Sequence, residues 1–213
     1  MTKSAGRKVF LPVIITVWLF AIGVGLRFVL AYENTPGTVG GVPRVWPLES
    51  GLQRSTKLPT LVMMVHPQCP CSRASIGELA VLLEGRTDLV NAQVVFVRPW
   101  EFGDEWEKTE LWNKTESIHG VKLSVDPGGA EARRFGSQTS GQVLLYSSQG
   151  QLLFSGGITD SRGHAGESEG RTAIVALLTQ GQPASDVTPV FGCPLFGKGS
   201  KQEEEFCNAS RRN

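Results

Sequence analysis

Apolar residues run from Val9 to Leu26 without a charge, 18 positions in all. As a helix they would extend about 27 Å, close to the thickness of a bilayer core. Arg27 interrupts the run, but its stem can snorkel to the headgroups while Phe28 to Tyr32 continue the apolar surface. The pattern changes at Glu33, where Pro36, Gly37, Gly40, Gly41, Pro43 and Pro47 accompany the loss of any period and predict an extended tether through Lys57. From Leu58 the chain reads as a folded layer. Thr60 to Val65 is a continuous run of β-formers, short enough for a buried strand. Ser72 and Ser75 offer caps to a helix whose Ile76, Leu79, Ala80 and Leu83 share one face.

Gln93 to Val97 predicts a second buried strand, and Asp104 to Lys114, with Trp106, Leu111 and Trp112, an irregular helix. Val121 to Val125 predicts a third strand, stopped by Asp126-Pro127-Gly128-Gly129, and Ala130 to Phe135 a brief helix. Gln142 to Tyr146 and Gln151 to Ser155 flank Ser147-Ser148-Gln149-Gly150 as a hairpin, and Arg171 to Leu178 supplies a last helix. The order β-α-β-α-β-α-β-β-α predicts an α/β fold with a central mixed sheet, parallel strands first and an antiparallel hairpin last. The chain thus divides into a basic end and membrane helix (1–32), a tether (33–57), an α/β domain (58–181) and an irregular tail (182–213).

Composition supports this division. Of 213 residues, 40% are hydrophobic and 19% charged, which suits a packed core and excludes a chain disordered throughout. Residues 1–32 hold Lys3, Arg7, Lys8 and Arg27 and no acid, leaving 17 bases against 20 acids beyond Tyr32. That balance supports no nucleic-acid-binding face. The bases before the span predict a cytoplasmic N-terminus and a domain on the periplasmic or extracytoplasmic side. A cleaved signal is the competing reading, against which Phe28-Val29-Leu30-Ala31-Tyr32 lacks a small-x-small site.

Export gives the four cysteines, Cys69, Cys71, Cys193 and Cys207, an environment where disulfides persist. Cys69 and Cys71 lie in His66-Pro67-Gln68-Cys69-Pro70-Cys71-Ser72-Arg73, between the first strand and its helix. Amides at a helix start favour thiolate over thiol, and Arg73 is expected to add positive charge. The chemistry expected there is disulfide exchange, for which thiolate is the nucleophile.

Strand, Cys-bearing turn, helix and a terminal hairpin followed by a helix resemble the thioredoxin-like superfamily over about residues 58–180. The longer signature, His66 to Leu79 with Phe154-Ser155-Gly156-Gly157-Ile158-Thr159 and Val190-Phe191-Gly192-Cys193-Pro194-Leu195, resembles bacterial membrane-anchored RedB-type proteins. The resemblance places Cys69 at the nucleophile and implies exported protein thiols or disulfides as partners, with no cofactor. Ser72 stands where thioredoxins carry their second Cys, so Cys71 is expected to resolve the mixed disulfide. Met63 falls at the buried acid and Gly141 near the cis-proline, and Gly141 would allow close backbone approach.

Other readings stand beside exchange. Cys69 and Cys71 can be small buried hydrophobes or part of a bridge to the tail. His66, Cys69, Cys71 and possibly Cys193 form a nitrogen-and-sulfur set suited to copper or zinc, as in a copper-binding thioredoxin-like chaperone. A peroxiredoxin-like peroxidase ranks third, since His66 replaces that family's threonine. Cys193 pairs with Cys207 in one reading; in the favoured one it packs beside Cys69 and Cys71 as a third redox thiol, carried by the apolar residues Val190, Phe191, Leu195 and Phe196.

Overall fold

The computed structural model describes residues 5–181 and 185–197. It has two compact units, one ending at Thr35 and the other beginning at Pro36. The first is a helix, α1 (Ala5–Glu33). Its stretch Phe10–Glu33, 24 residues, is long and apolar enough to cross a membrane. A helix apolar on every side suits hydrocarbon rather than water.

The second unit contains β1 (Thr60–Val65), α2 (Ser72–Leu83), β2 (Asn91–Arg98), α3 (Glu110–Glu116), β3 (Val121–Pro127), α4 (Ala130–Arg134), β4 (Gln142–Tyr146), β5 (Leu152–Gly156) and α5 (Glu169–Gln180). The strands form one sheet in the order β3-β2-β1-β4-β5. β1 runs parallel to β2, as β2 does to β3, while β4 is antiparallel to β1 and to β5. Met63 therefore has Val94 on one side and Val143 on the other. This is the mixed sheet with flanking helices that the element order predicts.

β1 lies in the middle, which explains its unbroken apolar sequence: both faces are covered, so alternation has no polar side to serve. Leu61, Met63 and Val65 point into a core closed by Ile76, Leu79 and Leu82 of α2, Leu111 and Trp112 of α3, and Ala173 and Ile174 of α5. Val62 and Met64 point the other way, to Trp46, Ala132, Phe135, Tyr146 and Leu195. Each fully buried Leu or Met contributes about 2 kcal/mol relative to exposure. α2 and α5 are also joined by a buried ion pair between Glu78 and Arg171, and Glu78 accepts a second hydrogen bond from the Gly166 N–H at 2.8 Å.

The stretch expected as an extended tether over 33–57 belongs, from Pro36 onward, to this unit. Trp46 is 9% exposed and meets Phe135 and Tyr146 edge-on at 5.0 and 5.3 Å. The backbone around it is bonded to the domain, with the Trp46 N–H donating to Gly150 and the Leu152 N–H to Arg44. The Tyr146 hydroxyl donates to the Pro43 carbonyl at 3.0 Å. Such a strap is held through its main chain and one aromatic anchor, so it shows no side-chain period. The folded unit therefore begins before Leu58.

The described part of the tail, 185–197, is also irregular and also docked. The Ser155 N–H donates to Asp186 and the Thr188 N–H to Ser155, so the tail lies along β5. Val190, Phe191 and Leu195 are buried. Cys207, and any bridge it forms, lies outside the described residues.

Candidate active site

The chain leaves β1 at Val65 and enters α2 at Ser72 through successive tight turns. The Cys69 N–H donates to the His66 carbonyl at 3.0 Å, Ser72 N–H to Cys69 at 3.2 Å, and Ala74 N–H to Cys71 at 3.1 Å. Cys69 is 3% exposed and Cys71 8%. Cys193 arrives from the tail, and the three sulfurs lie within 4.8 Å of one another.

What positions Cys193 is an antiparallel pairing between the tail and the loop entering β4. Ser140 N–H donates to the Cys193 carbonyl at 2.8 Å and Leu195 N–H to the Gln138 carbonyl at 2.9 Å, with Thr139 opposite Pro194. Gly37 N–H holds Val190 at 2.8 Å, and the Arg162 guanidinium donates to the Gly192 carbonyl. A Cβ on Gly192 would sit 1.9 Å from the Ser140 oxygen, so only glycine allows this approach. The Cys193 N–H points at the Cys69 sulfur, 3.4 Å away.

A chain of hydroxyls ends at the same sulfur. His66 N–H donates to Ser140 Oγ at 2.7 Å, leaving the Ser140 proton free for Ser72 Oγ, 2.6 Å away. Ser72 in turn hydrogen-bonds Cys69 through side chain and backbone. Each donor polarises the next.

These contacts separate the thiols. Burial pushes Cys69 up, but hydrogen bonds from Ser72 and Cys193 outweigh it and hold Cys69 below the usual thiol range. Cys71 is raised, by burial first and then by the charge of Cys69, with Arg162 partly offsetting both. Burial, the hydrogen bond to Cys69 and the charges of Cys69 and Cys71 push Cys193 up to about 12. Cys69 is accordingly the first of the three thiols to ionise, and Cys193 a thiol that hydrogen-bonds to it.

Gly141 has φ +89°, and a Cβ there would meet Ser75 Oγ at 2.8 Å, so glycine is required on two counts. Arg73 does not supply the expected charge. It forks onto Glu110 in an exposed pair at 2.5 and 3.0 Å, and the guanidinium beside Cys71 is that of Arg162. His66 stands apart from the sulfur cluster, with Nδ1 accepting from Gln68 N–H at 3.2 Å and its ring against Trp106. Burial lowers its pKa. Met63 lies in the apolar core, so no carboxylate stands there. Sequence reasoning missed Ser140, Arg162 and Gly192. Ser140 adjoins Gly141 and was within reach, whereas Arg162 lies in a polar loop with no pattern to single it out.

The second unit has a thioredoxin-like fold. No family model matches the chain, and no curated protein matches it. Among solved structures it is similar to an uncharacterized conserved protein from Geobacillus kaustophilus, with a TM-score of 0.57 and 17% identity over 78% of this chain and 94% of that one. It is also similar to a hypothetical protein from Sinorhizobium meliloti 1021, with a TM-score of 0.57 and 18% identity over 78% and 96%. At these identities the likeness is one of fold. A secreted Mycobacterium tuberculosis disulfide oxidoreductase homologous to E. coli DsbE aligns at a TM-score of 0.42 and 12% identity, over 59% of this chain and 83% of that one.

Proposed function

We propose that this protein is a membrane-anchored, exported thiol-disulfide oxidoreductase acting on thiols or disulfides of exported proteins. One observation carries the reading: a thiol held below its usual pKa at a strand-to-helix turn, with two more sulfurs within 4.8 Å. Cys69 attacks a client disulfide and a neighbouring thiol resolves the mixed disulfide. α1 holds the domain at the cytoplasmic membrane, and the bases before it favour a domain outside. Purified full-length protein with a dithiol donor should reduce a model protein disulfide, and Cys69→Ser should lose this activity. An unimpaired Cys69→Ser variant would end the reading. A reporter fused after Lys57 should be active only outside the cytoplasm.

The three sulfurs also support a second reading, a site for a soft ion such as Cu(I), or for Zn(II). Against it, His66, the nitrogen donor of the expected set, stands apart from the three sulfurs. Stoichiometric metal in the reduced protein would favour this alternative.

A further inference from the structure

We infer that the tail segment Val190–Leu195 is a built-in partner of the site: it occupies the backbone edge at Gln138–Ser140, and its Cys193 forms the disulfide with Cys69 that resolves exchange. This rests on the exchange reading and departs from the sequence-based expectation that Cys71 resolves.

The geometry favours Cys193. Its main chain is held on both sides of the thiol, at the Gly192 carbonyl by Arg162 and at the Cys193 carbonyl and Leu195 N–H by Ser140 and Gln138, and its own N–H addresses the Cys69 sulfur. The pairing is specific, since the Gly192 backbone lies where any side chain would strike the Ser140 carbonyl. Cys71 is near as well, but a bridge between residues two apart closes a very small ring and departs from relaxed disulfide geometry. Position 193, 124 residues from Cys69 in sequence, carries no such ring constraint. The docked segment also explains why Cys69 is almost fully buried. A client reaches that sulfur when the segment lifts, and its return delivers the resolving thiol.

The exchange balances. The Cys69 thiolate attacks one sulfur of the client disulfide, forming a Cys69–client bond and releasing the other client sulfur as thiolate. Cys69 is then uncharged, which removes one cause that kept Cys193 protonated. Cys193 passes its proton to the released thiolate and attacks Cys69 Sγ. The Cys69–client bond breaks and the second client sulfur departs as thiolate. The client gains two electrons, the Cys69–Cys193 pair loses two, and a dithiol donor restores the pair by exchange.

The test uses the full-length protein in detergent, reduced, desalted and treated with one equivalent of the aromatic disulfide dithiobis(nitrobenzoate). Both halves of the reagent should appear as free thiol, and peptide mapping should find Cys69 joined to Cys193, including in Cys71→Ser. Cys193→Ser should keep the aromatic adduct on Cys69 roughly a hundredfold longer, through loss of the intramolecular effective concentration. Gly192→Ala, which keeps every thiol but cannot dock, should do the same. A Cys69–Cys71 bridge, or a stable Cys193–Cys207 bridge in the untreated protein, would overturn the inference and leave exchange at Cys69 standing. Failure of Cys69 to form the adduct ahead of the other thiols would remove the exchange reading and this inference together.

Discussion

The hydroxyls of Ser72 and Ser140 lie 2.6 Å apart, joining the first turn of α2 to the loop that enters β4. One hydroxyl faces the Cys69 sulfur, and the other accepts from the His66 N–H. The residue that tunes the thiolate is thus fixed by the loop that also holds the tail.

Ser72→Ala should raise the pKa of Cys69, because a hydrogen bond to the thiolate is lost. A bond of this kind contributes about 1 to 1.5 kcal/mol, so alkylation of Cys69 in mildly acidic solution should slow severalfold to tenfold. Rates followed by mass spectrometry across pH should show the profile moving upward. An unmoved profile would mean that the hydroxyl does not act on the sulfur.

Alkali should destabilise the reduced protein. Cys193 ionises in the unfolded chain in the usual thiol range and in the folded one only at about 12. Between those values the unfolded state has lost a proton that the native state keeps, so stability falls as pH rises through that window. Cys71, raised in the same sense, adds to the slope. Thermal melts in mildly alkaline and more alkaline buffer should separate, with the lower melting temperature at higher pH.

Trp46→Ala should cost about 3 to 5 kcal/mol, the range for removing a large aromatic from a core. Chemical denaturation would measure it. Were residues 36–57 merely a tether, the change would be close to zero.

Gly141→Ala should destabilise by more than about 1 kcal/mol, since alanine is strained at φ +89° and its methyl meets Ser75. Denaturation curves compared with those of Gly163→Ala, at φ +70° but with open space around it, would separate backbone strain from the contact.

Much of the fold was legible because burial leaves a mark on side chains. The apolar run Thr60 to Val65 coincides with β1, since a strand covered on both faces must be apolar throughout. The helix expected over Asp104 to Lys114 begins later, at Glu110. Glu105 takes φ +71°, which no α-helix contains, and composition gives no warning of it. The strap at 36–57 was illegible as packed structure because main-chain groups hold it, whereas the apolar residues Val190, Phe191 and Leu195 mark the docking of the tail in the sequence itself. At the site, the cysteines declared themselves through their place between strand and helix. Arg73 is near the cysteines in sequence but pairs with Glu110, while the guanidinium that acts on Cys71, Arg162, comes from a distant loop.

The tail's course along β5 has a consequence for the molecule in crowded surroundings. β5 is the last strand of the sheet, and an end strand with free amides and carbonyls is a template on which another chain can add. Asp186 and Thr188 engage Ser155 there, so part of that template is spent on the protein's own chain. A protein shortened to end before residue 185 would keep its strands and helices yet expose this border, and self-association into aggregates is the cost that the docked tail avoids.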